Sequence, residues 1–497
     1  MANAPKVYDF PVTKVEDQLV SYLKKKRGAS TIADMIAGTG LPKYQIEQVA
    51  KLALDEYAGR LKVTESGELL YYFPGGMRST AHGFGPSLRK FWKSFSRGAL
   101  RVLSLLFKIW IVVMLVGYFV LFVAIALLAV VASFAASAAN KDSRGRGRSG
   151  GLGGMYLVMR LLDLILRMWF WSNLTKDSRR NQEPGRAFYK SVFGFVFGEG
   201  DPNTGWDEQE RRHVIAYIMS HKGVITLEEL MALTGLDDAP ANAYLNRILL
   251  EFEGEPGVTE DGTVIYTFPA LMRTSEASQH VPGRVSLGDI VSKKLLHFSD
   301  NKKRTNGWII FFNTFNLAFG SYFLVSALTQ GIGGFAKNGP LLYSFVGQAL
   351  RSAGSGHPVG VIMSVLGIVP VAFSAVFFIV ALLRRSRLSA ENRAIREETA
   401  RRRVFSYVLA NPARVDARDI PASGTPLDAK DFAGTCRRIL DRLAAARRAE
   451  PVPQEKEGVF AYKFSDLARE MADIEAYRKS VDLKRYELGA TVFDSGN

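Results

Sequence analysis

Side chains that could perform acid–base, thiol or metal chemistry are few in this chain and do not cluster. One cysteine, Cys436, excludes an intrachain disulfide and an all-cysteine metal site. No Walker motif, nucleophile elbow, zincin motif or EF-hand occurs. Six histidines are spread without metal-ligand spacing: His82, His213, His221, His280, His297 and His357. We therefore predict a protein that is not an enzyme, with no catalytic residues, no metal site and no cofactor.

One glycine pattern formally matches a dinucleotide-binding fingerprint. Gly145, Gly147 and Gly150 give G-x-G-x-x-G inside the basic run 141–148. That fingerprint requires a preceding strand and a following helix, which place the phosphates at the helix N-terminus. Here it follows a long apolar segment instead, so we do not expect nucleotide binding.

The basic residues lie mainly beside apolar segments. The chain has 64 Lys and Arg against 48 Asp and Glu, a net charge of +16. Cytoplasmic membrane surfaces attract Lys and Arg through anionic lipid headgroups. The residues predicted to lie at the membrane surface are Arg89, Lys90, Lys93, Arg97, Arg101, Lys302, Lys303, Arg304, Arg384, Arg385 and Arg387.

Several apolar segments are long enough to cross a bilayer. As one helix, residues 103–138 would be roughly 54 Å long, so the segment either projects beyond a hydrocarbon core of about 30 Å or folds back near Gly117. Residues 155–171 form a second apolar segment, either a crossing or a surface helix. Residues 307–328 and 359–383, separated by a Gly-rich loop, predict a two-helix hairpin with both termini inside.

Between the apolar segments, residues 207–274 have a mixed helical and strand pattern. Thr226 and Glu229 form a capping box that starts a short helix ending near Gly235. Farther along, Asp261-Gly262 separates two β-rich runs, which is the signal of a hairpin. Helices followed by a hairpin in this order predict a winged-helix fold.

The same pattern recurs at the N-terminus with a constant offset of 195 positions, and more faintly over 404–465. A fixed offset indicates an internal repeat. Its signature residues are Gly67, Tyr71, Phe73 and Pro74 in the first copy and Gly262, Tyr266, Phe268 and Pro269 in the second. The predicted fold class is mainly α with small β-hairpins, in which three winged-helix-like domains alternate with two transmembrane helical hairpins.

This organisation predicts ten consecutive segments. They are winged helix 1 (1–76), a basic juxtamembrane linker (77–102), membrane unit 1 (103–173), a juxtamembrane linker (174–206), winged helix 2 (207–274), a juxtamembrane linker (275–306), transmembrane hairpin 2 (307–383), a basic connecting helix (384–403), a degenerate winged helix 3 (404–465), and a C-terminal helix and tail (466–497).

The charges of the three copies indicate binding to protein rather than to nucleic acid. The first copy is almost neutral and the second is acidic, which repels phosphate, whereas the third is basic. A contact between the second and third copies is predicted through Glu251, Glu253 and Glu255 on one side and Arg437, Arg438 and Arg442 on the other.

The leading hypothesis is therefore a membrane scaffold or assembly factor that binds lipids and other proteins through cytoplasmic winged-helix modules. Self-association into a homo-oligomer stays open. One alternative is a membrane-tethered DNA-binding regulator, because winged helices often read DNA. Another is a transporter or channel subunit, suggested by the Gly-rich loop.

Residues 195–275 resemble a family of cyanobacterial and chloroplast membrane proteins. The resemblance is carried by Gly198-Glu199-Gly200-Asp201-Pro202-Asn203, Gly223-Val224-Ile225-Thr226, Phe252-Glu253-Gly254-Glu255-Pro256 and Tyr266-Thr267-Phe268-Pro269. It implies an integral membrane protein with soluble modules. The family is sometimes labelled as iron-sulfur cluster biosynthesis, but one cysteine cannot hold a cluster by thiolates. We predict a multi-pass protein of the bacterial inner membrane.

Overall fold

The computed structural model describes residues 10–26, 28–74, 102–139, 187–275, 285–336, 338–422, 429–453 and 460–495. The fold is mainly helical, with a few small antiparallel sheets. It divides into two compact units. Unit 1 contains Met1–Ser87, Asp201–Leu295 and Glu391–Asn497, and unit 2 contains Leu88–Gly200 and Leu296–Ala390. The three segments of unit 1 are called here the first, second and third segments.

The first segment consists of three helices and a hairpin. Its second helix starts at a reciprocal cap, in which Thr31 Oγ1 accepts from the Asp34 N–H at 3.1 Å and Asp34 Oδ2 accepts from the Thr31 N–H at 3.0 Å. Gly40 ends that helix with a φ of +72°, which glycine adopts without steric cost. The elements are α1 (Val12–Lys25), α2 (Ile32–Thr39), α3 (Lys43–Glu56), β1 (Arg60–Thr64) and β2 (Leu69–Tyr72).

The first described helix of unit 2 is the apolar helix α4 (102–139). A π-helical turn over Val113–Gly117 interrupts its regular geometry without reversing it, so the chain does not fold back near Gly117. A short helix, α5 (Phe188–Phe197), follows in this unit. The predicted basic loop 141–148 and apolar segment 155–171 lie outside the described residues.

The second segment confirms the predicted capping box and hairpin. Thr226 Oγ1 accepts from the Glu229 N–H at 3.3 Å, and Glu229 Oε2 accepts from the Thr226 N–H at 3.1 Å. Val258 and Val264 face each other across the hairpin that contains Gly262. The elements are α6 (Trp206–Ser220), β3 (Val224–Ile225), α7 (Leu227–Thr234), α8 (Asp238–Phe252), β4 (Glu255–Val258), β5 (Val264–Thr267) and the short turn α9 (Pro269–Met272).

Two further long helices have bounds that differ from the sequence prediction. The Gly-rich stretch between them contains a 3₁₀ turn, Gly331–Phe335, and a helix of 12 residues rather than an irregular loop. The second long helix continues without a break through the stretch predicted as a separate connecting helix. The elements are α10 (Lys303–Gln330), α11 (Leu341–Ser352) and α12 (Pro358–Ala410), the last with a π-helical turn at Ile362–Ile368.

The third segment adds two helices and two small strand pairings. Its last strand, β8, joins the hairpin of the first segment and gives the sheet order β2-β1-β8. The other sheets have the orders β3-β5-β4 and β6-β7. The elements are α13 (Ala429–Ala446), β6 (Glu450–Pro453), β7 (Phe460–Lys463), α14 (Ser465–Ser480) and β8 (Thr491–Asp494).

Shared hydrophobic cores hold the segments of unit 1 together. Leu19 and Ile46 of the first segment lie in one buried cluster with Ile215 and Phe252 of the second. A further cluster joins the second and third segments, and Ile265 packs with Ile474 of α14. Burial of these faces removes apolar surface from water, which is the main force that assembles the unit.

Among the residues that the structure describes, three helices are long and apolar enough to span a membrane, and they are contained in Val102–Ser133, Lys303–Phe335 and Pro358–Ala410. Within unit 2 the second and third approach closely at small residues. A Cβ added at Gly320 would lie 3.0 Å from Pro370 Cγ, and one at Gly367 would lie 3.0 Å from the Leu324 Cα. Small residues at such contacts are typical of helix packing in membranes.

Candidate interaction site

Charged side chains of the third segment meet acidic side chains of the second within unit 1. Two of the cations are almost fully buried, Arg402 on α12 and Arg478 on α14, with 1% and 6% of their surface exposed. An arginine cannot lose its charge in a protein, so its burial requires partners that satisfy the guanidinium.

Arg402 is held by two carboxylates and a carbonyl. Its Nη2 donates to Glu210 of α6 and, at 2.8 Å, to Glu398 one turn earlier on α12. Its Nη1 donates to the Val291 carbonyl at 2.9 Å, and the guanidinium lies 5.2 Å from the centre of the Trp206 ring. The arrangement fixes one register between α12 and α6.

The charge of Arg402 and the burial of this site shift the pKa values of neighbouring titratable groups. Burial raises the pKa of Glu210, and the Arg402 guanidinium opposes that rise. Burial and Arg402 together lower the pKa of His213, although Asp289 acts in the opposite direction. The neutral form of the His213 imidazole is therefore favoured, which avoids a second positive charge beside Arg402.

Arg478 belongs to a second buried network around Glu229. Its Nη2 donates to Glu229 Oε2 at 2.7 Å and to the Val224 carbonyl at 2.9 Å. The other oxygen, Oε1, accepts from the Tyr217 hydroxyl at 2.7 Å. Burial alone would lower the pKa of Arg478, but Glu229 raises it. The network attaches α14 to the start of α7.

More exposed ion pairs lie around these two networks. Arg447 Nη2 is 3.2 Å from Glu228 and 2.8 Å from Asp238, and Arg401 Nη1 is 3.7 Å from Asp237. Partly exposed pairs of this kind contribute about 0–1 kcal/mol each. The buried arginines are therefore the contacts whose loss would matter most.

The basic residues predicted to make this contact have other neighbours. Arg437 pairs with Asp441 on its own helix at 2.9 Å and donates to the Phe460 carbonyl at 2.7 Å. Arg438 donates to Thr435 Oγ1 at 3.3 Å, and Arg442 is exposed. These three arginines do not approach the predicted acidic residues.

The predicted acidic residues are likewise placed elsewhere. Glu251 lies 3.7 Å from Arg211, and Glu253 lies 2.6 Å from Lys43 Nζ of α3. Glu255 is exposed at the start of β4. The contact between the second and third segments therefore uses different residues from those expected, and Glu253 instead pairs with the first segment.

The predicted membrane-surface cations divide into three groups. Arg89, Lys90, Lys93, Arg97 and Arg101 lie outside the described residues. Lys302, Lys303 and Arg304 are exposed at the start of α10, and Arg385 and Arg387 are exposed on α12.

Arg384 differs from these exposed cations because it is half-buried. It donates to the Gly194 and Phe195 carbonyls at 3.0 and 2.7 Å and to the Phe298 carbonyl. It therefore adds donors at the carbonyl end of α5, where the last carbonyls of a helix lack intrahelical partners.

The predicted signature residues shape two hairpins and their junctions. Gly67 and Gly262 have φ of +80° and +90°. Tyr71 and Phe268 are buried, whereas Phe73 and Tyr266 are half-buried against the core shared by the first and second segments. Pro269 is the first residue of α9, and Pro74 is exposed. These residues therefore shape the hairpins and pack against the core.

The tip of the β4–β5 hairpin exposes an apolar pair. Val258 and Val264 face each other, and 66% and 51% of their surfaces are exposed. Glu255, Glu260 and Asp261 are exposed on the same hairpin. Exposed apolar residues bordered by charge are typical of protein-binding surfaces.

Neither metal nor thiol chemistry finds support in the part of the chain that the structure describes. No group of three or more His, Cys, Asp and Glu there could hold a metal ion. Cys436 is buried, and burial raises its pKa to about 12. Because the thiolate is the reactive form, this cysteine is an inert core residue.

Two buried asparagine side chains that bind backbone carbonyls inside unit 2 were not predicted from the sequence. Asn316 Nδ2 donates to the Leu115 carbonyl at 2.7 Å, and Asn313 Nδ2 donates to the Ser374 carbonyl at 3.2 Å. Leu115 lies in the π-helical turn of α4, where the i→i+4 ladder is interrupted. The available signal was a pair of asparagines three positions apart within an apolar segment.

Comparison with known proteins finds a distant homologue of this chain. It is similar to an uncharacterised chloroplastic protein of Arabidopsis thaliana, 27% identical over 437 residues, covering 86% of this chain and 77% of that protein. No protein-family model matches the chain, and no solved structure matches it. The chain is thus a mainly helical protein with a distant chloroplastic homologue, and its described part contains three potential membrane-spanning helices.

Proposed function

We propose that this protein is a non-enzymatic scaffold or assembly factor of a membrane, multi-pass through the helices of unit 2. Unit 1 supplies winged-helix-like modules that bind another protein. The membrane is a bacterial inner membrane or, as the chloroplastic homologue suggests, a plastid membrane.

The observation that carries this proposal is the exposed Val258–Val264 pair. Several carboxylates of the second segment are paired within unit 1, among them Glu210 and Glu229, which bind the two buried arginines. The hairpin tip keeps two large apolar side chains in solvent beside three carboxylates. A partner surface with an apolar centre and a basic border would complement it.

The backbone of β4 indicates how that partner binds. β4 is an edge strand, but its second residue is Pro256, which has no N–H to donate to an added strand. The partner therefore packs on the side chains of the hairpin and does not extend its sheet.

Site-specific photocrosslinking in native membranes tests the proposal. A photoreactive residue replaces Val264 or, as a control of equal exposure, Leu52 on α3, which is also 51% exposed. We expect a discrete protein adduct from position 264 that is absent from position 52 and is lost when Val258→Asp is added. Equal labelling from both positions, or an adduct that persists in Val258→Asp, would refute the proposal. DNA binding and transport stay untested predictions.

A further inference from the structure

An apolar groove of about 420 Å³ lies among α4, α5 and α12 of unit 2. The residues that define its walls are Phe107, Trp110, Phe197, Phe373, Val376 and Val380. Trp110 and Val376 are 50% and 60% exposed, so the groove is open on one side. Both long helices that line it are candidate membrane spans, and an open apolar groove between such helices faces lipid.

The length of the groove matches one leaflet. Its lining on α12 runs from Ile368 to Val380, which at 1.5 Å per residue is roughly 18 Å. Half of a hydrocarbon core is about 15 Å thick. A single lipid acyl chain that lies along α12 would therefore fill the groove from the headgroup region to the bilayer centre.

Positive charge is concentrated at one end of this groove. Lys108 Nζ lies 4.5 Å from the centre of the Phe193 ring, which is 4.9 Å from the ring of Phe197 in the groove wall. Arg384 follows Val380 by one helical turn on α12 and binds the carbonyls at the end of α5. Both cations thus lie at the Phe197 end, and the lining itself carries no charge.

We propose that the groove binds one acyl chain of an anionic phospholipid whose phosphate is held by Lys108. The Arg384 guanidinium donates to backbone carbonyls and so contributes only positive potential. The Lys108 ammonium contacts a ring face, so its N–H donors remain available for a phosphate. An apolar groove with one cationic end complements an anionic amphiphile. A neutral membrane helix would leave that charge without a partner.

The test uses the full chain in nanodiscs of mixed phosphatidylglycerol and phosphatidylcholine, with retained lipid measured by native mass spectrometry after release. We expect one retained phosphatidylglycerol, preferred over phosphatidylcholine by about fivefold, since one lysine near a headgroup contributes on the order of that ratio. Lys108→Gln should abolish the preference while a lipid still binds.

Two matched variants separate groove binding from general lipid contact. Val376→Trp fills the groove and should remove the retained lipid. Val325→Trp places the same side chain at a similarly exposed position on α10, outside the groove, and should retain it. Lipid retention in Val376→Trp equal to that of the wild type, or no headgroup preference in the wild type, would overturn the proposal. If Val376→Trp does not fold, the result for Lys108→Gln decides between the outcomes. An unchanged preference of that variant for phosphatidylglycerol would refute the proposed role of Lys108.

Discussion

The C-terminal strand β8 joins the first hairpin at a position where the two other hairpins carry proline. Leu61, Pro256 and Pro451 each face a tyrosine across their hairpin. The Leu61 N–H donates to Ser495 Oγ at 2.8 Å, and the Leu61 carbonyl accepts from the Ser495 N–H at 2.9 Å. Because proline has no N–H, Leu61→Pro should selectively release β8.

The cost of this substitution can be worked out from the contacts. The lost bond to Ser495 is worth about 1 kcal/mol, and displacement of Ser495 by the proline ring would weaken the second bond by about as much. A loss of about 2 kcal/mol corresponds to roughly a 30-fold change in the docked population. Val492 and Phe493 are 62% and 58% exposed, so little apolar burial offsets the loss. The Lys62–Asp494 pair, at 3.0 Å, is partly exposed and adds little.

Hydrogen–deuterium exchange of the full chain in detergent measures this effect. In Leu61→Pro we expect amides of 491–495 to exchange about 30-fold faster. Amides of β2 should stay protected, because the Leu61 N–H points away from that strand. Leu61→Ala keeps the N–H and is the matched control. If both variants release β8 equally, or if β2 loses protection as well, the backbone explanation is wrong.

Three further outcomes are expected. Arg478→Met should destabilise unit 1 by about 3–5 kcal/mol by leaving the Glu229 carboxylate buried without its cation, whereas the double variant with Glu229→Gln, which removes the buried charge and keeps an amide oxygen as an acceptor, should recover part of that loss in denaturant unfolding. Burial lowers the folded-state pKa of His213, so the unfolded state binds the proton more tightly, and stability should fall as the pH drops from 7.5 through the ordinary pKa of 6.5. The thermal midpoint of His213→Gln should therefore depend less on pH than that of the wild type. An equal pH dependence in the two proteins would contradict this role of His213. Asn316→Leu should lower stability by about 1 kcal/mol, because the loss of the donor to the Leu115 carbonyl is partly offset by removal of the Asn316 oxygen, which is buried without a partner; the exposed Thr329→Val should stay close to wild type in the same melt.

Features that depend on neighbouring residues could be predicted from the sequence. The capping box at Thr226 and Glu229 and the hairpin at Gly262 are observed, and among the described residues the predicted segments 103–138, 307–328 and 359–383 lie in helices long and apolar enough to span a membrane. A cap depends on a hydroxyl and a carboxylate three positions apart, and a span depends on an unbroken apolar run, so both are encoded within one or two helical turns. The helix Leu341–Ser352 was missed because glycines on both sides of it indicated a loop.

The candidate site could not be predicted in the same way. Arg402 and Arg478 lie in charged helical stretches that are typical of solvated surfaces, yet both are buried. Their partners, Glu210 and Glu229, are separated from them by 192 and 249 positions. Nothing local distinguishes these arginines from Arg437 or Arg442, which the sequence favoured.

The amino-acid sequence by itself determined that capped helices, hairpins and potential membrane spans occur in these stretches, although not their exact bounds, because such elements depend on caps, turns and apolar periodicity within short windows. Only the tertiary structure decided which charged side chains form ion pairs, which strand pairs with β8, and which apolar helix faces form a groove. The physical reason is that buried ion pairs, strand addition and grooves depend on groups far apart in the chain, whose meeting is set by the packing of whole elements.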